Sequence, residues 1–139
     1  IPIEEELTKS PYIADALILG DEKPFISALI QPNFNLLIKL AKRLGVEYDE
    51  NEIIVKKQVG EEEVVQVGAD FVMNPKIVEF YSRIVDEVNS KFANYERIKK
   101  FKLVPRAFSI EKGELTPTLK KRQHVIIKNF EDYVREIYG

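Results

Sequence analysis

The 139-residue sequence predicts an α+β fold, a small mixed sheet of short strands with about three packed helices and a C-terminal helix that follows a lysine-containing loop. Three observations predict it. Two short apolar runs, Ile13 to Leu19 and Phe25 to Ile30, are separated by a cluster of turn formers. The hydrophobic period then changes from strand-like to helical after Asn33. A second and a third helical stripe follow, one opening at Asn74-Pro75 and one running to the C-terminus.

Taken in order, the first two runs flank Gly20-Asp21-Glu22-Lys23-Pro24, whose Gly, Asp and Pro favour a turn, so they read as a hairpin. Both runs are nearly continuous in apolar residues, which predicts a sheet covered on both faces. From Asn33, the residues Leu36, Leu37, Leu40, Ala41 and Leu44 form a helical stripe that Gly45 is placed to end. The stretch 47–72 is ambiguous. Ile53-Ile54-Val55 and Val64-Val65-Gln66-Val67 fit an exposed hairpin around Gly60-Glu61, and a helix fits nearly as well. Asn74 followed by Pro75 supplies a cap residue and a proline at the first helical position. The helix so opened carries Ile77, Tyr81, Ile84, Val88 and Phe92 on one face. A strand is expected over Phe101 to Val104, then a small hairpin pairing Phe108-Ser109-Ile110 with Glu114-Leu115 around Lys112-Gly113. The last helix is expected from about Leu119 to Tyr138, with Ile126, Phe130, Tyr133, Val134 and Ile137 inward.

Composition narrows the function. A hydrophobic content of 45% in this length suits one domain with its own core, and no repeat or low-complexity linker argues for a second. Cysteine is absent, so thiol redox chemistry and thiolate metal sites are excluded, and a reducing, cytoplasmic setting is expected. A formal net charge of -2 does not point to nucleic acid. No apolar run approaches the roughly 18 residues of a membrane span. The sequence opens on Ile1-Pro2-Ile3-Glu4 rather than Met, which reads as a piece of a longer protein.

The chemical inventory is short. His124 is the only histidine, so a histidine metal cluster is ruled out and no metal site is expected. Neither a Gly-x-Ser-x-Gly elbow, a Gly-x-Gly-x-x-Gly fingerprint nor a Walker-type loop occurs among six glycines, so nothing in the chain cradles a triphosphate unaided. The carboxylate runs Glu4 to Glu6 and Glu61 to Glu63 read as solvated faces. Phe80, Tyr81, Phe92, Phe130 and Tyr133 fall at helical spacing and read as core. Two basic groups remain: Lys99, Lys100, Lys102 and Arg106 around the late strand, and Lys120, Lys121 and Arg122 at the opening of the last helix.

The second group lies in Lys112-Gly113-Glu114-Leu115-Thr116-Pro117-Thr118-Leu119-Lys120-Lys121-Arg122. Pro117 fixes its own φ and drives Thr116 towards extended backbone, and Thr118 has the hydroxyl of a helix N-cap. Lys120 is then expected near a helix start, beside N–H groups that favour anions. Read alone, the segment fits an ordinary helix entry with solvated lysines equally well.

Ser10-Pro11-Tyr12-Ile13, then Gly20-Asp21 with Pro24-Phe25-Ile26-Ser27-Ala28-Leu29-Ile30-Gln31-Pro32, and finally Gly113 to Arg122 resemble the C-terminal domain of long-chain fatty acyl-CoA synthetases, in the acyl-adenylate-forming superfamily. The resemblance covers nearly the whole chain, and the Leu-Thr-Pro-Thr-Leu-Lys string is its most specific part. Many superfamily members have glycine immediately before the motif lysine. Leu119 holds that place here, which is similar to the long-chain branch.

The resemblance implies a lid, residues 1–139, that closes over a larger N-terminal adenylation domain in two orientations, one for acyl-AMP formation from fatty acid and ATP with Mg and one for thioester formation with coenzyme A. It implies that Lys120 is the catalytic lysine reaching between the carboxylate and the α-phosphate, with Gly113, Glu114, Thr116, Pro117 and Thr118 setting the loop. It implies a coenzyme A surface, for which Lys99, Lys100 and Arg106 are the candidate phosphate contacts. Glu4 and Glu5 fall where the family resumes after its hinge. Neither ATP nor coenzyme A is expected to bind this domain alone, and an attachment peripheral to a membrane is compatible with such an enzyme. The competing expectation is a stand-alone interaction or regulatory module that binds an acidic partner. In 47–72 the chain departs from the family by extra length, expected to be a surface insertion.

Overall fold

The computed structural model describes residues 2–139, with Gln58 described by its backbone alone. Ile1, on which the reading of an interrupted opening rested, lies outside them. The first element is a short helix the sequence reading did not anticipate, α1 (Pro2–Thr8), which buries Ile3 and Leu7 one turn apart. Strands β1 (Ile13–Leu19) and β2 (Ser27–Pro32) form the expected antiparallel hairpin, with Leu19 opposite Ser27.

Helix α2 (Phe34–Leu44) has the predicted ends: the Asn33 side chain accepts from Leu36 N, and Gly45 closes the helix at φ 69°. The ambiguous stretch resolves as a hairpin, β3 (Ile54–Gln58) against β4 (Glu61–Gln66), followed by the short α3 (Ala69–Met73). The hairpin is fastened to its surroundings. Asn35 accepts from Val64 N at 2.8 Å, and at the end of β4 the backbone bonds Val67 N to Pro105 O at 2.8 Å and Ala107 N to Val65 O at 2.9 Å. The stretch 47–72 therefore supports the segment that leads towards the lysine loop.

Helix α4 (Pro75–Asn89) starts at the Asn74 cap and buries Ile77, Tyr81, Val85 and Val88. Phe92, expected on it, lies beyond its end and still packs on the core. The Tyr81 hydroxyl donates to Tyr12 O at 2.9 Å, and burial pushes its phenol pKa up. Strand β5 (Lys100–Leu103) then joins β2 in parallel, giving a mixed sheet of order β1-β2-β5.

Strand alternation explains why the apolar runs are continuous. Ala16, Ile18, Ala28 and Ile30 enter the core shared with α1 to α4, while their neighbours Leu17, Leu19 and Leu29 enter a second core with Val104, Phe108, Ile126, Phe130, Val134 and Ile137. The second core is closed by the C-terminal helix, in two pieces: α5 (Gln123–Asn129) and α6 (Glu131–Tyr138), broken at Phe130, φ -111° and ψ 30°. The single helix expected from Leu119 is thus shorter and divided, although the residues expected to face inward do so. No helix among the described residues is long and apolar enough to cross a membrane.

Candidate functional site

Residues 105–122 connect β5 to α5 without regular structure, and their shape comes from side-chain and turn hydrogen bonds. Phe108 N donates to Gln31 Oε1 at 2.9 Å, which ties the segment to β2. A tight turn follows, with Gly113 N on Ile110 O at 2.9 Å and Glu114 N on Ser109 O at 3.0 Å. Gly113 has φ 73°, a left-handed conformation that costs a residue with a Cβ about 1–2 kcal/mol. The hairpin expected between Phe108-Ser109-Ile110 and Glu114-Leu115 does not form, because this turn folds Glu114 and Leu115 onto the single carbonyl of Ser109.

The antiparallel pairing lies one step later, between Leu115 and Lys121, and encloses the motif turn. Thr116 N donates to Lys120 O at 2.8 Å, Leu119 N to Thr116 O at 2.8 Å, and Lys120 N to Thr116 Oγ1 at 3.1 Å. Thr118 therefore does not cap a helix. Its hydroxyl lies 3.1 Å from that of Thr116, and the helix begins only at Gln123, with Arg122 as a cap residue that makes no side-chain cap bond. The reason is Leu119, at φ 65°. A left-handed residue cannot belong to a right-handed helix, so Lys120 sits on a closed turn rather than on a helix N-terminus. The same geometry gives a physical reason for glycine at this place in other sequences.

The feet of the turn are fixed. At one, Glu114 is fully buried, with a carboxylate that accepts from Arg106 Nη1 at 2.9 Å, Arg106 Nη2 at 2.8 Å, Ser109 N at 3.1 Å and Asn129 Nδ2 at 2.9 Å. The Arg106 guanidinium also lies 4.4 Å from the centre of the Phe130 ring. At the other, Lys121 Nζ bridges Glu4 Oε1 at 2.7 Å on α1 and Asp15 Oδ1 at 2.9 Å on β1. Between them Lys120 is exposed and makes no ion pair among the described residues.

The candidate cations are thus dispersed. Lys99 and Lys100 are exposed at the start of β5, where Lys100 Nζ stands 5.5 Å from the centre of the Phe25 ring. Arg106 lies past the far end of that strand, its charge matched by Glu114, and Lys102 pairs with Glu136. His124 is exposed. Sequence reasoning had placed Glu114 in the loop without its role, and it missed Asn129, Asp15 and the pairing of Glu4. Lys121 and Asp15 are 106 residues apart, so no local pattern announces their contact.

Burial by itself would raise the pKa of Glu114. The hydrogen bonds from Arg106 and Asn129 and the Arg106 charge outweigh it and hold the carboxyl below its ordinary value of 4.5. For Lys121, burial would lower the pKa, and the bonds to Glu4 and Asp15 raise it above 10.5. The signs give a stability window. A lowered acid contributes fully above its ordinary pKa and loses that contribution as pH falls through the folded value, and a raised base contributes fully below its ordinary pKa and loses it as pH rises. Urea unfolding against pH should show stability falling below pH 4.5 and again above 10.5, and Glu114→Gln should flatten the acid limb alone.

Fold and site together define a small mixed-sheet domain that displays an exposed lysine, Lys120, on a braced turn. No protein-family model matches the chain. Among curated proteins it is 28% identical over 137 residues to the long-chain-fatty-acid–CoA ligase FadD15 of Mycobacterium tuberculosis, covering 99% of this chain and 20% of that protein. It is 26% identical over 143 residues to the long-chain-fatty-acid–CoA ligase ACSBG2 of Xenopus laevis, covering 99% and 19%. Among solved structures, the adenylation domain of a carboxylate reductase from Mycobacterium chelonae superposes with a TM-score of 0.61 at 15% identity, over 98% of this chain and 17% of that one. The A-PCP didomain of a carboxylic acid reductase from Segniliparus rugosus, solved in complex with AMP, gives 0.59 at 15% identity, over 99% and 15%. The chain's homologues are long-chain-fatty-acid–CoA ligases, and its match falls on their C-terminal part. It spans about a fifth of the length of these relatives.

Proposed function

We propose that residues 1–139 are the mobile C-terminal lid of an ATP-dependent long-chain fatty acid–CoA ligase, and that Lys120 is its adenylation lysine. The observation that carries this is the unequal treatment of neighbouring cations. Lys121 and Arg106 are matched by buried or half-buried carboxylates, while Lys120 is exposed, without an ion pair among the described residues, where a turn fixed at both feet closes on Thr116.

In the first half-reaction the fatty carboxylate oxygen attacks the α-phosphorus of ATP, the bond to pyrophosphate breaks, and acyl-AMP forms. ATP enters as its Mg complex, in a site on the larger N-terminal domain. Two anions must approach, and charge builds on the equatorial oxygens of phosphorus. A positioned ammonium near both lowers that barrier, and lysine suits the task as a compact point charge on a long stem. In the second half-reaction the coenzyme A sulfur attacks the acyl carbon and AMP leaves, with another face of the lid turned inward. The absence of cysteine supports a cytoplasmic setting for such an enzyme. The rival reading, a module for an acidic partner, has less support, because Lys102, Arg106 and Lys121 are already neutralised.

The lid reading has a direct test. The 139-residue chain alone should fold yet catalyse no ATP–pyrophosphate exchange with any fatty acid, because it has no phosphate cradle, whereas the full-length ligase should exchange. Robust exchange by the isolated chain would overturn the reading. For coenzyme A, Lys99 and Lys100 are the proposed phosphate contacts, and Arg106 contributes less since its charge is matched. Reversing both lysines in the full-length enzyme should raise the KM for coenzyme A on the order of 5-fold, leave that for ATP unchanged, and show a smaller effect at high salt.

A further inference from the structure

We infer that Glu114, held by Arg106 and Asn129, is a positioning residue for Lys120, an assignment that rests on the adenylation reading above. Its two oxygens carry four hydrogen bonds drawn from three places: the exit of β5 through Arg106, the loop through Ser109 N, and α5 through Asn129. Its own backbone carbonyl accepts from Arg122 N at 2.8 Å, across the base of the motif turn. One residue thereby fixes the turn's foot against strand, loop and helix together. Among the described residues, 116–120 are held by bonds within the turn and project between this foot and the one that Lys121 fixes to Glu4 and Asp15.

Stability alone does not call for this arrangement. A buried ion pair is commonly replaceable by apolar groups at no loss, so what it adds is a defined geometry. The geometry matters where Lys120 must meet two oxygens on different groups, because a displacement near 1 Å can cost about 10²-fold in rate. The lock also tolerates no neutral mimic. In Glu114→Gln the amide NH2 faces two donors in either orientation, Arg106 Nη2 and Asn129 Nδ2 or Arg106 Nη1 and Ser109 N, so the foot must shift.

The test uses the full-length ligase carrying Glu114→Gln. Single-turnover acyl-AMP formation should fall roughly 10- to 100-fold, while thioester formation from supplied acyl-AMP keeps its rate. Hydrogen exchange of the peptide covering 114–122 should quicken about 10-fold or more with α2 and α4 unchanged. Where Gln compromises folding, Asn129→Ala removes one bond to the carboxylate, leaves the Arg106–Glu114 pair in place and should show the same split to a smaller degree. Equal loss of both half-reactions, or unchanged exchange at 114–122, overturns the positioning role. A Lys120→Ala enzyme run alongside separates the two readings: a parent adenylation rate there, with parent loop exchange, means that the assignment of Lys120 has failed rather than the lock.

Discussion

Replacing Glu114 with alanine is expected to cost the folded domain about 3 kcal/mol, at the low end of the 3–5 typical when one partner of a buried pair is removed. The carboxylate has no solvent exposure, and its loss strands three donor groups at once: the Arg106 guanidinium, the Ser109 N–H and the Asn129 amide. Two features keep the cost from the upper end. The Arg106 side chain retains 19% exposure and can turn partly to water, and its guanidinium keeps the Phe130 ring beneath it. Urea unfolding should show a lower midpoint with an unchanged slope, since the surface exposed on unfolding is nearly the same. The double replacement Arg106→Met with Glu114→Leu should recover the part of the loss that comes from the stranded guanidinium. A loss below about 1 kcal/mol for the alanine variant would mean that the lock contributes little to the fold.

What the sequence disclosed and what it hid divide along the range of the interactions. The β1–β2 turn, the Asn33 and Gly45 ends of α2, and the Asn74-Pro75 start of α4 are each set by residues within a few positions, and each was legible. So was the order of the motif turn ahead of the last helix. The break at Phe130 was not, because Ile126, Phe130, Val134 and Ile137 keep a helical spacing across it and neither Gly nor Pro marks it. Thr118 carried a correct local signal for a cap, and the left-handed Leu119 overrode it. No propensity scale anticipates leucine in that conformation. Glu114 looked like one more loop carboxylate, since its partners Arg106 and Asn129 are 8 and 15 residues away. The short α1 had its signal in Ile3 and Leu7, but seven residues are too few for a stripe to stand out.

Lys120→Ala is expected to have the largest effect on activity, slowing acyl-AMP formation in the full-length ligase by about 10²-fold or more. Within residues 115–121 no other side chain brings an uncommitted charge. Lys121 is committed to Glu4 and Asp15, and Thr116 and Thr118 bring hydroxyls rather than charge. Lys120→Arg should also be slow, since it brings a wider fork to a place suited to a point charge. Stability should hardly change in either variant, because the side chain is exposed and its backbone bonds to Thr116 remain.

The central claim is that this chain lends its lysine to one half-reaction and a different surface to the other, and single-turnover rates of the two steps in the Lys120→Ala ligase test it most directly. The account predicts acyl-AMP formation slowed about 10²-fold and thioester formation from supplied acyl-AMP nearly intact. Adenylation at the parent rate, or equal loss of both steps in a folded enzyme, would contradict it.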